Sequence, residues 1–162
     1  NGYFVSNGRT THRGIEYDAR LRLNSVFTFS IAATYARHEY AFSRAIEGGE
    51  TIIDGNEVDT APQHVGTFGI DARFNVHFSA NMELFYVGRY FLDAANTATY
   101  PGHEVVNLRL GWTPREDLRA SLRVDNLFDT AYADRADYAF GNYRYFPGRG
   151  RALFLSVDFA TH

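Results

Sequence analysis

Apolar and polar residues alternate one by one along two segments near the end of the chain, 118–128 and 151–159. In the second segment every odd position from Leu153 to Phe159 is leucine, valine or phenylalanine, whereas the even positions include the charged Asp158. An alternation with a period of two predicts β-strands, because successive side chains of a strand point to opposite faces of a sheet. Such a sheet fits either a barrel between lipid and a watery lumen or a soluble sheet between a dry core and solvent.

The same alternation recurs through the chain and predicts an all-β protein built as an antiparallel meander of about seven long strands. The predicted strands are 13–23, 26–40, 65–78, 81–92, 103–112, 118–128 and 151–159. Most of them exceed the length of about 5–6 residues that is usual in soluble sheets. They match the height of a bilayer that a strand crosses at a tilt.

The predicted connections alternate between short and long. Short turns are predicted at 24–25, 79–80 and 113–117, and long loops at 41–63, 93–102 and 128–150. Short turns along one rim and long loops along the other are typical of outer-membrane barrels. Loops of soluble β-sandwiches also vary in length, so this pattern by itself leaves a sandwich open.

Most charged residues of these strands fall on the face opposite the apolar one. Those predicted to face a lumen are Glu16, Asp18, Arg20, Arg22, Asp71, Arg73, Arg109, Arg119, Arg123 and Asp125. Those predicted to face lipid are Leu21, Phe29, Ile31, Phe74, Leu108, Leu110, Leu122 and Leu155. The fourth strand is apolar on both faces, and its orientation is not assigned. The alternative interpretation of the charged stripe is a solvated sheet face with pairs across neighbouring strands.

The amino-acid composition limits the classes of function that this chain can have. The 162 residues include 11 Tyr and 14 Phe, a bias that favours strands. The net charge of -3 and the lack of a basic run give no reason to expect a nucleic-acid partner. There is no Cys, which excludes disulfides and thiolate metal sites. No stretch approaches about 18 consecutive apolar residues, so a transmembrane helix is not predicted.

No catalytic or cofactor-binding pattern is present in the sequence. None of the six His residues belongs to an H-x-x-x-H or H-E-x-x-H arrangement, and no Ser lies in a G-x-S-x-G elbow. The acidic loop 41–62 lacks the spacing of a calcium-binding loop. We therefore expect no enzyme, no cofactor and no metal site.

Several motifs in the correct order resemble the C-terminal end of TonB-dependent outer-membrane receptors. The residues that match the family's N-L-F-D-x-x-Y and P-G-x-x-R motifs are Asn126, Leu127, Phe128, Asp129, Tyr132, Pro147, Gly148 and Arg151. Upstream, 13–16 resembles the family's R-G-x-E strand start, and 88–109 resembles its G-x-x-x-x-D-x-x-N…P-G-x-x-x-x-N-x-R segment. One departure is that 160–162 follow Phe159, where the family's chain normally ends at the aromatic residue.

The resemblance implies that residues 1–162 are the C-terminal fragment of a 22-stranded barrel in the outer membrane of a Gram-negative bacterium. The chain begins without Met or an apolar signal segment, which agrees with a mature protein or a fragment. The implied partners are membrane lipid, the rest of the barrel and the plug domain. A missing N-terminal part would engage the TonB energy-transducing complex, and the last strand would engage the barrel assembly machinery.

The resemblance also implies that the ligand is an iron–siderophore complex, and less favourably cobalamin or a sugar. The loop 128–150 carries the candidate ligand-binding residues Arg135, Tyr138, Tyr143, Arg144 and Tyr145. Aromatic rings and guanidinium groups stack on flat ligands and pair with their carboxylate or catecholate oxygens. The alternative is that these residues only pack the loop. For the chain as a whole, the alternative is a small structural or oligomeric outer-membrane barrel without gated uptake.

Overall fold

A computed structural model describes residues 8–45 and 51–160, and its regular structure consists of strands. Within these ranges no helix is long and apolar enough to cross a membrane. Part of the predicted loop 41–63 and the last two residues of the chain lie outside the described residues. The strands are β1 Thr10–Arg22, β2 Phe27–Tyr40, β3 Arg44–Ala45, β4 Thr51–Ile52, β5 His64–Arg73, β6 Phe78–Val87, β7 Tyr90–Phe91, β8 Thr99–Tyr100, β9 His103–Arg115, β10 Leu118–Asp125, β11 Ala133–Ala139, β12 Asn142–Pro147 and β13 Ala152–Phe159.

The long strands form one seven-stranded sheet in the order β1-β2-β5-β6-β9-β10-β13. Each pairs with its neighbours in antiparallel orientation, so the predicted meander of seven long strands is confirmed. The six shorter strands form three hairpins, β3-β4, β7-β8 and β11-β12, within the long connections. The loop predicted over 128–150 is therefore not irregular, because most of it is the hairpin β11-β12.

Two of the short turns are closed by asparagine side chains. Asn24 Oδ1 accepts hydrogen bonds from the backbone N–H groups of Val26 and Phe27, both at 2.8 Å. Asn75 Oδ1 accepts in the same way from His77 and Phe78, at 2.8 and 2.9 Å. Side-chain bonds of this kind are how asparagine initiates a tight turn.

The turn predicted at 79–80 is wrong, because the turn built on Asn75 lies at 74–77. Phe74, predicted on the lipid face, belongs to this turn instead of a strand. The turn predicted at 113–117 is also too long. Thr113 N–H donates to His77 O at 2.8 Å, which extends β9 and leaves a two-residue turn at 116–117.

The register separates the sheet into an apolar face and a polar face. Residues directly opposite each other on neighbouring strands share a face. One such row crosses all seven strands and is apolar throughout: Leu21, Phe29, Ile70, Met82, Leu108, Val124 and Leu153. The next row, on the opposite face, consists of Arg22, Thr28, Asp71, Asn81, Arg109, Arg123 and Phe154. β6 thereby receives its orientation, with Met82 on the apolar face and Asn81 on the polar face.

The buried cluster of the described residues lies at the long-loop end of the molecule and not beneath the sheet. It consists of Tyr90, Leu92, Tyr100, Ala133 and Ala136. A soluble sandwich would bury its core between two sheet faces. Instead, side chains of the apolar face are exposed, Leu21 by 62% and Leu155 by 75%. A continuous apolar surface of this kind favours contact with lipid over contact with water.

Candidate functional site

The polar face is concave near the short-turn rim. A cavity of about 620 Å³ lies there, and its lining includes Arg20, Arg22, Asp71, Arg73, Asn81 and Arg109. All ten residues predicted to face a lumen lie on this polar face, by their register and by strand alternation. The ten residues therefore share one face of the sheet, and their exposure to a lumen stays a prediction.

Positive charge exceeds negative charge in this cavity. Its lining includes one carboxylate, Asp71, and the guanidinium groups of Arg20, Arg22, Arg73 and Arg109. Asp71 accepts a hydrogen bond from Asn81 Nδ2 at 2.9 Å and lies 3.6 Å from Arg20 Nη2. Arg109 and Arg123 lie directly opposite each other, and Asp125 supplies a counter-charge at 3.2 Å from Arg123 Nε, which leaves Arg109 as the excess cation of the two. The short-turn half of the polar face thus fits a partner that carries carboxylates.

The candidate arginines of β11-β12 both bind a carboxylate of the same hairpin. Asp137 is 4% exposed and accepts from Arg144 Nε and Nη2 at 2.7 and 3.0 Å. Arg135 Nη2 approaches the same carboxylate at 2.5 Å. The hydrogen bonds from Arg144, and then those from Arg135, hold the pKa of Asp137 below its ordinary value although burial opposes this shift. The side chain of Arg135 is still 64% exposed.

The five candidate ligand-binding residues do not form one cluster. Strand alternation and the pairs Asp137–Arg144 and Tyr138–Tyr143 place the two arginines on one face of the hairpin and the three tyrosines on the other. On the arginine face, the Phe146 ring lies 5.5 Å from each guanidinium carbon. On the tyrosine face, the rings of Tyr138 and Tyr143 lie 5.0 Å apart. A flat ligand contacts one face or the other.

Hydrogen bonds to two buried tyrosines hold the hairpin in place. Tyr90 Oη accepts from the N–H of Ala136 at 3.0 Å and donates to its C=O at 3.2 Å. Tyr100 Oη accepts from the N–H of Ala133 at 3.0 Å. Burial raises the pKa of Tyr90, which keeps its hydroxyl protonated for both bonds. Sequence reasoning missed these anchors. No local pattern signalled them, because the fourth predicted strand, 81–92, is apolar on both faces.

The long connections are also hydrogen-bonded to one another. Asn96 Oδ1 accepts from Glu57 N–H and Asn96 Nδ2 donates to Glu57 O, both at 2.8 Å. Thr60 N–H donates to Phe91 O at 2.8 Å, and Tyr138 N–H donates to Leu92 O at 2.9 Å. The three long connections therefore contact one another in series at this end of the molecule.

The family-like motif around Asn126 has a structural role. Asn126 Nδ2 donates to Thr130 O at 2.9 Å and to Arg149 O at 3.1 Å. Asp129 Oδ1 accepts from the N–H of Arg151 at 2.8 Å. Both motif residues have positive φ, 50° and 55°, a conformation that Asn and Asp tolerate better than other side chains. These hydrogen bonds connect the end of β10 to the residues just before β13.

The Gly148 position of the second motif also has a structural reason. A Cβ atom at this position would fall within the ring of Tyr132, the last residue of the first motif. Glycine is therefore required where the two motifs meet, because any side chain would displace the ring.

These features define a class: a section of an open β-barrel wall with one apolar face, one polar face and connected loops at one rim. Residues 1–127 match a family described as "TonB dependent receptor-like, beta-barrel". The chain belongs to this family of outer-membrane receptors of Gram-negative bacteria. Its members are transporters and receptors rather than enzymes, and they combine a barrel with a plug and interact with TonB.

Curated relatives and solved structures agree with this assignment. The ferrioxamine receptor of Yersinia enterocolitica is 27% identical over 138 residues, which cover 80% of this chain and 18% of that protein. The pesticin receptor of Yersinia pestis is 23% identical over 128 residues, 77% of this chain and 18% of that protein.

Two solved structures share the fold. The siderophore receptor PiuA from Acinetobacter baumannii superposes with a TM-score of 0.78 at 18% identity, over 94% of this chain and 22% of that chain. The ferric yersiniabactin uptake receptor FyuA from Yersinia pestis superposes with a TM-score of 0.75 at 19% identity, over 94% of this chain and 24% of that chain. The chain thus spans less than a quarter of the length of these relatives.

Proposed function

We propose that residues 1–162 are the C-terminal part of the barrel wall of a receptor that imports a scarce ligand, such as an iron–siderophore complex, across the outer membrane. The observation that carries this proposal is the pair of adjacent rows across the seven strands, one apolar throughout and one polar on every strand except β13, where Phe154 stands. The similarity to the ferrioxamine receptor of Yersinia enterocolitica supports the ligand class. In this role the chain forms a wall and binds ligand, and performs no catalysis.

In this proposal, the other barrel strands, the plug and the part that binds TonB belong to the rest of a longer protein. About 15 further strands would complete a barrel of the size known for plugged transporters. A plug domain would dock on the polar face, where the arginines around the cavity offer ion pairs to its carboxylates. The TonB complex would act through the N-terminal part, and the assembly machinery would engage β13.

A periplasmic C-terminus sets the sidedness of this proposal. β13 then runs toward the periplasm, so the turn at 116–117 is periplasmic and the hairpin β11-β12 is external. The external hairpin is the candidate ligand contact, through Arg135, Tyr138, Tyr143, Arg144 and Tyr145. Tyr143 and Tyr145 remain exposed and are available to a flat ligand.

Uptake of radiolabelled ferric siderophores tests the proposal. Cells that lack the full-length protein are compared with cells in which it is restored, each with and without a protonophore that removes the driving force. We expect one siderophore class whose uptake needs both the protein and the proton gradient. Unchanged uptake across hydroxamate, catecholate and carboxylate siderophores would favour the structural barrel without gated uptake.

A further inference from the structure

Two histidines meet on the polar face, at the long-loop end of the first two strands. His12 on β1 and His38 on β2 are directly opposite in the register. Their Nδ1 atoms lie 2.7 Å apart, and the ring centroids are separated by 4.9 Å. Neither residue belongs to the arginine-lined cavity or to the hairpin β11-β12. The pair therefore needs an explanation of its own.

The short Nδ1–Nδ1 distance allows one proton between the rings. One imidazole N–H donates to the lone pair of the other ring, because two N–H groups cannot point at each other. His12 Nε2 lies 2.8 Å from Thr10 Oγ1, which orients the ring from its other side. When the donating ring carries its proton on Nε2 instead, both Nδ1 atoms present lone pairs to the small volume between the rings. Two converging imidazole lone pairs with a supporting hydrogen bond are the elements of a metal site.

The spacing fits chelation of one ion. Metal–imidazole bonds of about 2.0–2.1 Å at an angle of about 90°, as in square-planar Cu²⁺ complexes, place the two nitrogens about 2.9 Å apart. The observed 2.7 Å needs a small opening of the pair and a rotation of both rings, which turns the two Nδ1 atoms from each other toward a common ion. We propose that His12 and His38 form a two-histidine site for a divalent transition-metal ion of the imidazole-binding class, with Cu²⁺ bound most tightly. The ion takes the place of the shared proton, which the donating ring carries on Nε2 instead, so that both histidines coordinate as neutral imidazoles through Nδ1.

The rest of the coordination sphere is open. Among residues 8–45 and 51–160, no group of three or more His, Cys, Asp or Glu side chains surrounds a common point. Water, or donor atoms of a ligand on the polar face, would complete the sphere. This proposal does not depend on siderophore import, since it needs only the β1-β2 pairing.

Titration with Cu²⁺ tests the site. The full-length protein is purified in detergent with its affinity tag removed, and Cu²⁺ binding is measured by competition with a chromophoric chelator. We compare wild type with His12→Ala, His38→Ala and the double variant. Each single substitution should weaken binding at least about 10-fold, the lower bound of the loss seen when only an outer-shell partner is removed. The double variant should lose less affinity than the sum of the two single losses, because either change already breaks the chelate.

His77→Gln is the matched control, because His77 lies at the opposite rim and bonds to Thr113 O instead of a second histidine. It should leave Cu²⁺ affinity unchanged. The electron paramagnetic resonance spectrum of bound Cu²⁺ should show two equivalent nitrogen ligands in wild type. Heat-modifiable gel migration reports whether each variant is folded, and the spectrum of wild type stands independently of any variant. The proposal is overturned if the folded single variants bind Cu²⁺ with wild-type affinity, or if His77→Gln loses as much Cu²⁺ affinity as they do. A spectrum with one nitrogen ligand on Cu²⁺ would also overturn it.

Discussion

The seven-stranded sheet and the long-loop end of this molecule are stabilised in opposite ways. In the sheet, apolar side chains such as Leu155 are exposed on one face, while Arg109 and Arg123 lie opposite each other on the other face. At the long-loop end, Leu92 is 1% exposed and the buried hydroxyl of Tyr90 makes two hydrogen bonds. The sheet therefore leaves both of its faces largely uncovered by the chain's own side chains, whereas the loop end satisfies its groups internally.

Because of this difference, substitutions in the two regions test different interactions. A change on either sheet face tests the surroundings of the barrel wall, because few side chains of the same chain pack there. A change in the segments 90–100 or 133–147 tests packing and hydrogen bonding within the chain. The predictions below use this contrast.

Opposite ends of the molecule should lie on opposite sides of the membrane. In a full-length protein without other cysteines, Ala139→Cys at the hairpin end should react with an impermeant thiol reagent on intact cells. Glu116→Cys at the short-turn rim should react only after the outer membrane is permeabilised. The reverse result would invert the sidedness and remove the hairpin from the candidate ligand site.

Leu92→Ala should produce the largest energetic loss at the loop end. Deleting this fully buried side chain costs about 2–5 kcal/mol, through lost transfer energy and a residual cavity. Hydrogen exchange of the β11 amides should accelerate accordingly. Phe140→Ala, at a side chain that is 93% exposed, serves as the control and should leave exchange unchanged. Equal acceleration by both variants would show that the hairpin is not held by this cluster.

Leu122→Arg tests the apolar face of the sheet. An arginine near the bilayer midplane should cost about 2–4 kcal/mol, because it must leave water for hydrocarbon. Ser121→Arg places the same charge on the polar face and should cost much less. The measurement is the yield of heat-modifiable protein in the outer membrane. Similar losses for the two neighbours would contradict the assignment of this face to lipid.

Tyr90→Phe tests the hydrogen bonds at the loop end without making a cavity. The N–H and C=O of Ala136 would lose their buried partner, at a cost of about 1–3 kcal/mol. Exchange at the Ala136 amide should rise more than exchange within β10. Tyr145→Phe removes an exposed hydroxyl and should change neither rate. An unaffected Ala136 amide in Tyr90→Phe would argue that water replaces the hydroxyl at no cost.

Acid should weaken the hairpin through Asp137, with the smallest effect of the series. Its pKa is lower in the folded hairpin than its ordinary value of 3.8. The ion pairs with Arg144 and Arg135 therefore contribute fully above that value and are lost as the pH falls through the folded pKa. Exchange of the β12 amides, corrected for the intrinsic effect of pH, should report this loss in the acidic range. Asp137→Asn should abolish this dependence, and a variant that keeps it would assign it to another group.

Alternation in the sequence predicted most of the sheet. A local period of two indicated the seven strands and placed residues such as Arg20 and Leu108 on opposite faces. The turn at 74–77 was missed, because Phe74 and Val76 continue the alternation and only the hydrogen bonds of Asn75 end the strand. The orientation of β6 could not be predicted from the sequence, because both of its faces are rich in apolar residues. Its pairing with β5 and β9 decides which face is which.

The amino-acid sequence by itself determined the strands, the two faces and the family motifs, because each depends on residues close together in the chain. Only the tertiary structure decided the loop end. Tyr90 reaches Ala136 across 46 positions, and Asp137 rather than an external ligand holds Arg144. The same holds for His12 and His38, which are 26 positions apart and meet only through the β1-β2 register. Such contacts depend on how distant segments pack, which no local pattern of polarity encodes.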